Sequence, residues 1–367
     1  VKAKDDPLEG QVVDDRYRLQ HRIGSGGMSV VYLGEEQPLG KPIAIKFLRS
    51  AFANLPDFVH RFEQEAKACS LLSHVNCVSV AGFGVAFGSP YLVMEFLDGH
   101  RLSELLAKRP LSARQAIDVT RQILSGLDHA HARGVVHRDL KPGNVMLVEE
   151  PSAPDGCVKI MDFGTAQLMS GDGPAAKGSG THVGTPWYMA PEQAAGQPTD
   201  YRTDLYAVGV MLFEMLTGAR PYTAEDPMRV LEMHLSSPIP SARALKPSLG
   251  LSPELEAVIV RAMQKQPAER FASAEEFDKA LAETPEVKPR RVTGQTPAVS
   301  RADPSHPETR PVTGPVVGPP SASSLLAVES RQLSKKKNLM IVLVMVLSLV
   351  ALFILFFILD VLGVLVF

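Results

Sequence analysis

Two strings constrain this chain more than any other feature: "VVHRDLKPGNVML" over residues 135–147 and "VKIMDFG" over 158–164. They bring two carboxylates, Asp139 and Asp162, and one amide, Asn144, into a short stretch of chain. That supplies a base and hard oxygen donors, the set that a magnesium ion and phosphoryl chemistry require. Lys and Arg number 38 against 40 Asp and Glu, a net charge of −2, which excludes a basic nucleic-acid binder and a highly charged disordered chain. Hydrophobic residues make up 45% of the 367, enough for a sizeable core in a chain of about two compact units. Cys69, Cys77 and Cys157 form no CxxC pair and leave an odd thiol, which argues against a disulfide framework or a zinc site and for a reducing, cytosolic setting. His21, His60, His74, His100, His129, His131 and His182 show no clustering with carboxylates or thiols, so no metal other than magnesium is expected.

From Tyr17 onward, "YRLQHRIG", "VVYLGEE" and "PIAIKFL" alternate as strands do, and "PDFVHRFEQEAKACSLL" follows with helical spacing. Two further strand-like pieces, "VAGFGVAFG" and "PYLVMEFL", precede a region beyond Gly99 that is mainly helical. There "SARQAIDVTRQILSGLDHAHARG" repeats its apolar residues at helix spacing, with Gly134 as the stop. The expectation is an α+β chain, a small sheet-rich lobe followed by a larger helical one.

The character changes at Thr284. Net charge is −6 up to that residue, +5 over 285–337 and −1 beyond. Nine prolines among residues 285–320, with little apolar content, predict a disordered basic linker over 284–337. The run "NLMIVLVMVLSLVALFILFFIL" over 338–359 carries no charge and matches the roughly 20 residues needed to cross a hydrocarbon core, so a transmembrane helix is expected there. A buried core helix is the alternative. Three lysines, 335–337, precede the run and no basic residue follows, which places the long N-terminal part in the cytoplasm and residues 360–367 on the far side. Residues 1–16 read as a polar N-terminal extension with no signal-peptide run, although a chain beginning with Val leaves a missing start open.

The string "IGSGGMSVVY", residues 23–32, lies between two strands, and its glycines let backbone N–H groups approach phosphate oxygens. A purely structural hairpin fits it equally, whereas a dinucleotide fold would need a helix directly after the glycines. "AIK", ending at Lys46, falls on the next strand but one, and Glu65 in "RFEQEAK" follows 19 residues later on the expected helix. Lys46 could reach over the glycines and Glu65 could orient it; a strand-edge lysine and a solvated helix face are the plain alternatives.

Taken with "GTPWYMAPEQ", "DLYAVG" and "PAERF", these strings resemble the eukaryotic-like (Hanks-type) Ser/Thr protein kinases, most closely the bacterial membrane-anchored branch. The resemblance covers about residues 17–281. It implies a two-lobed fold, with an N-lobe over about 17–96 and a C-lobe over about 97–283 in a catalytic domain of 17–283. The implied activity is transfer of the ATP γ-phosphoryl group to Ser or Thr of protein substrates. ATP and Mg²⁺ are the implied cofactors, with Mn²⁺ as an alternative ion.

Residue by residue, Gly24, Ser25, Gly26 and Gly27 would fold over the phosphates, with Ile23, Val31 and Ala44 beside the adenine. Lys46 would contact the α- and β-phosphates and pair with Glu65. Met94 holds the gatekeeper place, and Glu95 and Leu97 would offer backbone groups to the adenine edge. Asp139 would take the substrate proton, Lys141 would steady the developing charge, and Asn144 and Asp162 would hold the metal. Glu192 would pair with Arg270, and Asp204 would anchor the catalytic loop. Ser29 departs from the pattern by standing at the third glycine position.

Lys141 and Thr185 match the Ser/Thr form of the motifs, and Arg138 before Asp139 suggests control by an activation-loop phosphate. Ser179 and Thr181 are the candidate autophosphorylation sites. A membrane-tethered scaffold without turnover is the competing reading, though Lys46, Asp139 and Asp162 are all present; small-molecule phosphotransfer is disfavoured by the complete "GTPWYMAPE". The expected setting is a single-pass protein of the bacterial inner membrane, with protein substrates, no nucleic-acid partner and a homodimer among its arrangements. The apolar run contains no GxxxG motif to fix such a dimer.

Overall fold

A computed structural model describes residues 6–150, 153–163, 167–168 and 186–287. Of the linker expected from 284, residues 284–287 are folded onto the helical core, with Thr284 buried and Ser252 N–H donating to Glu286 Oε1 at 2.7 Å, because their side chains find partners there. Residues 288–337, the expected membrane helix and tail, and Ser179, Thr181 and Thr185 lie outside the described residues. No helix among the described residues is long and apolar enough to cross a membrane.

The N-terminal half is one antiparallel sheet in the order β1-β2-β3-β4-β6-β5. Its strands are β1 (Val12–Val13), β2 (Tyr17–Ser25), β3 (Ser29–Glu36), β4 (Lys41–Leu48), β5 (Val80–Ala86) and β6 (Ser89–Glu95). Strand β4 explains the sheet. Its period of two sends Ile43, Ile45 and Phe47 into one cluster with Tyr32, Tyr91 and Val93, while Lys46 and Leu48 take the opposite face. After a short helix α1 (Ser50–Ala53), that opposite face receives α2 (Pro56–Ser70), which presses Phe62 and Ala66 onto Leu48 and Leu92. The same helix face brings Glu65 inward beside Lys46.

Residues ahead of Tyr17, expected as an extension, pack on the outer sheet face. The Tyr32 hydroxyl donates to Asp6 Oδ2 at 2.8 Å, Leu19 N–H donates to the Gln11 carbonyl at 2.8 Å, and Leu8 joins the Tyr32–Phe47 cluster.

Past β7 (Gly99–Arg101) the chain turns helical with α3 (Leu102–Lys108) and α4 (Ala113–His131). Ser112 caps α4 reciprocally with Gln115. Strands β8 (Val135–Val136), β9 (Val145–Glu150), β10 (Ala153–Ile160) and β11 (Gln167–Leu168) follow; β7, β9 and β10 form a small sheet, and β8 pairs with β11. The remaining helices are α5 (Pro191–Ala194), α6 (Arg202–Thr217), α7 (Pro227–Ser236), α8 (Ala242–Leu245), α9 (Pro253–Ala262) and α10 (Ala274–Ala282). Apolar nearly all round, α6 is the central post of the larger core, as such a helix must be. A Cβ on Gly209 would come within 2.7 Å of Ala262 Cβ, so only glycine lets α6 and α9 approach this closely.

Beside α6 lies a buried polar cluster. His234 Nδ1 is 2.8 Å from the Tyr206 hydroxyl, and Lys265 Nζ donates to Tyr222 Oη at 2.9 Å and to the His234 carbonyl at 2.8 Å. Burial, and then the Lys265 charge, push His234 down to about 4. Between pH 4 and 6.5 the unfolded chain therefore binds more protons than the folded one, and stability falls as pH drops through that window. Thermal unfolding across it should show a loss of roughly 1–3 kcal/mol from this group, and His234→Asn should flatten the slope. An unchanged slope in the variant would assign the loss to other groups.

Candidate active site

A cleft of about 330 Å³ opens where β2, β3 and β4 face the start of the helical half. Ile23, Gly24, Val31, Ala44, Met94, Glu95 and Leu97, all named from the sequence, line it together with Val78, Met146 and Met161. Asp162 closes its deep end. Ser25, Gly26, Gly27, Lys46 and Asn144, also expected at the nucleotide, are not among these lining residues. Gly99 allows the cleft's lower rim to form, because a Cβ there would sit 2.2 Å from the Leu147 carbonyl oxygen.

At the deep end Lys46 Nζ donates to Glu65 Oε1 at 2.6 Å and to Asp162 Oδ1 at 2.9 Å. Lys46 and Glu65 are buried, whereas the Asp162 side chain is 40% exposed at the cleft. Burial alone would lower Lys46, but Asp162 and Glu65 outweigh it and hold the ammonium charged. Lys46 in turn keeps Asp162 below the usual carboxylate range. Burial raises Glu65, which Lys46 opposes. One buried cation thus serves two carboxylates, and the exposed one carries the firmer negative charge.

The second cluster is built by the loop after β8. Lys141 Nζ donates to Asp139 Oδ2 at 2.6 Å, and Asn144 Nδ2 donates to the Asp139 carbonyl at 2.8 Å. Met161 N–H donates to the Asn144 carbonyl at 2.8 Å, which ties the two halves of the site together next to Asp162. Asp204, buried on α6, fixes the loop from below: it accepts His137 N–H at 2.9 Å and Arg138 N–H at 2.8 Å. The expected Glu192–Arg270 pair is bidentate, at 2.8 and 2.6 Å, and fully buried.

Other contributors were not legible in the motifs. His131, read as unremarkable, lies 2.8 Å from Asp204 Oδ2 through Nε2. Lys159 on β10 donates to Glu95 Oε1 at 2.9 Å, joining the strand before Asp162 to the cleft rim, while Glu95 N–H is taken by the Ser79 carbonyl. Arg101 lines the cleft and donates to the Gly143 carbonyl at 2.6 Å, bracing the turn that carries Asn144. The only sequence signal for these was their position next to motif residues.

The donor set fits a magnesium nucleotide. Asp162 offers a part-exposed carboxylate to a cleft with apolar walls and a charged rim, Asn144 has an amide oxygen to give, and Lys46, bonded to Asp162, puts a buried cation behind the site where phosphates would lie.

Comparison with known proteins agrees with this geometry. The protein kinase domain family matches residues 17–281. The chain is 40% identical over 280 residues to serine/threonine-protein kinase pkn3 of Myxococcus xanthus, covering 75% of this chain and 51% of the relative. It is 43% identical over 282 residues to Pkn1 of the same organism, covering 77% and 40%, and 36% identical over 272 residues to PrkC of Bacillus subtilis, covering 74% and 41%. It thus spans about half or less of the length of these relatives. Among solved structures, the kinase domain of Mycobacterium tuberculosis PknI superposes with a TM-score of 0.56 at 27% identity, covering 75% of this chain and 99% of that one. With its two clusters and cleft in this arrangement, the chain belongs to the protein kinase domain family.

Proposed function

We propose that this chain is a Ser/Thr protein kinase that moves the γ-phosphoryl group of ATP onto Ser or Thr hydroxyls of protein substrates. The observation that carries the reading is the pair of clusters: Lys46 held between Glu65 and Asp162, and Asp139 held by Lys141 and Asn144. Asp139 orients the substrate hydroxyl and takes its proton as the new O–P bond forms and the bond to ADP breaks. Lys141 offsets charge on the phosphoryl group in flight, and Lys46 fixes the α- and β-phosphates. Asn144 and Asp162 would hold Mg²⁺, which neutralises phosphate charge when bound. The Ser/Thr preference is supported by Lys141 and by the names of the relatives.

Two finer readings belong with it. The apolar run 338–359, with lysines 335–337 before it, supports anchoring in a bacterial cell membrane with the kinase unit on the cytoplasmic side. Arg138 beside Asp139 supports activation by autophosphorylation at Ser179 or Thr181. One experiment tests all three: the full chain is expressed in a bacterium, fractionated, and supplied with labelled Mg-ATP and a general protein acceptor. Label on Ser and Thr, recovery in the membrane fraction, and phosphate at residue 179 or 181 are expected. Label on Tyr alone, release into the soluble fraction, or an active protein unmodified at both sites would each refute its own part.

A further inference from the structure

The glycine-rich turn between β2 and β3 is gripped from outside the cleft by a residue that none of the motifs includes. Arg49 directly follows β4, three positions after Lys46. Its backbone N–H donates to the Met28 carbonyl at 2.9 Å, and its Nη2 donates to the Ser25 hydroxyl. One residue therefore holds both arms of the turn. Between those arms Gly26 N–H donates to the Ser29 carbonyl at 2.8 Å, and Ser25 pairs in register with Val30.

The rest of the turn has little to hold it. A Cβ added at Gly27 would meet nothing within 4 Å, so beyond Met28, which packs against the Leu48–Phe62 cluster, the tip has no side chain to order it, and glycines lose the most backbone freedom when they are fixed. The Arg49 guanidinium has no carboxylate partner among the described residues, and its buried Nε has no hydrogen-bond partner. A cation whose side-chain bond goes to a neutral hydroxyl at this point does little for the charge balance of the fold. Its effect is on the loop. Ser25, expected among the residues that meet the nucleotide, instead turns its hydroxyl to Arg49.

We propose that Arg49 is a positioning residue for the nucleotide phosphates: a latch that, through Ser25 and Met28, pre-shapes the glycine-rich turn over the phosphate end of the cleft. This rests on the reading that the cleft takes ATP. Because the latch acts on the turn alone, it should affect ligands that carry phosphates and spare those that do not.

The test measures equilibrium binding of a non-hydrolysable ATP analogue with Mg²⁺, and separately of adenosine, to the full chain. The variants are Arg49→Ala, Arg49→Lys, Ser25→Ala and the Arg49→Ala/Ser25→Ala pair. Each alanine variant should weaken the analogue by about fivefold or more while adenosine stays within about twofold, and Arg49→Lys should recover part of the loss. The double variant should be no weaker than Arg49→Ala alone, since both changes break one contact. Unchanged analogue binding, equal losses for both ligands, or losses that multiply in the double variant would overturn the latch. A wild-type chain that bound neither ligand would sink the ATP reading, and the latch with it.

Discussion

Replacing Asp139 by Asn should cut phosphate transfer by about a hundredfold to ten-thousandfold while leaving ATP binding intact. The side chain keeps its size, so the loop need not move, but it loses the charge that accepts the Lys141 ammonium at 2.6 Å and the lone pairs that would take a proton. The nucleotide-facing cluster of Lys46, Glu65 and Asp162 shares no hydrogen bond with Asp139. The measurement is a pair of numbers on the same preparation: the transfer rate at saturating Mg-ATP, and the affinity for a non-hydrolysable analogue. A rate within tenfold of wild type would remove Asp139 from its role. A rate loss matched by lost nucleotide affinity would mean that the link from Asp139 through Asn144 to Met161 couples the two clusters into one unit.

The two clusters were legible to different depths. The spacing of Lys46 and Glu65 alone left a strand-edge lysine and a solvated helix face open, and only the resemblance implied their pairing, which β4 and α2 realise. The Lys46–Asp162 bond spans 116 residues and depends on how the helical half seats against the sheet, which no local pattern encodes. The resemblance placed Asp204 beneath the loop that carries Asp139, where its two bonds to that loop put it, yet its partner His131 passed as a plain helix residue, because an imidazole on a buried face looks the same with or without a carboxylate opposite. Arg49 and Arg101 were missed for a further reason. Their acceptors are a serine hydroxyl and backbone carbonyls, which leave no complementary charge to find in a sequence. The packing of Asp6 and Leu8 on the outer sheet face was hidden in the same way, since two residues ahead of a strand carry no period.

The largest stability effect is expected at Arg270. Its guanidinium, 2% exposed, gives two bonds to Glu192 and three more to the carbonyls of Gln264, Arg202 and Lys265, at 2.8, 3.0 and 3.1 Å. Glu192, 4% exposed, has the Thr203 hydroxyl as its other side-chain partner, at 2.8 Å. Arg270→Met would leave a carboxylate buried without its cation, a change that costs about 3–5 kcal/mol in comparable sites. Glu192→Gln keeps the shape and an acceptor oxygen, so its cost should be nearer 1–2 kcal/mol. Pairing Arg270→Met with Glu192→Leu should recover part of the first loss by removing the stranded charge, but not all of it, because three carbonyls still lose their donor. Urea unfolding of the full chain and its variants would give this order, and a double variant no more stable than Arg270→Met would show that the carbonyls, not the carboxylate, dominate. The consequence reaches the loop that carries Asp139. Glu192 sits on α5 next to Gln193, whose amide donates to the Arg138 carbonyl at 2.8 Å, so loosening the buried pair frees the support of the residue that precedes Asp139. Arg270→Met should therefore lower the transfer rate even where the protein remains folded, through a side chain that never meets the substrate.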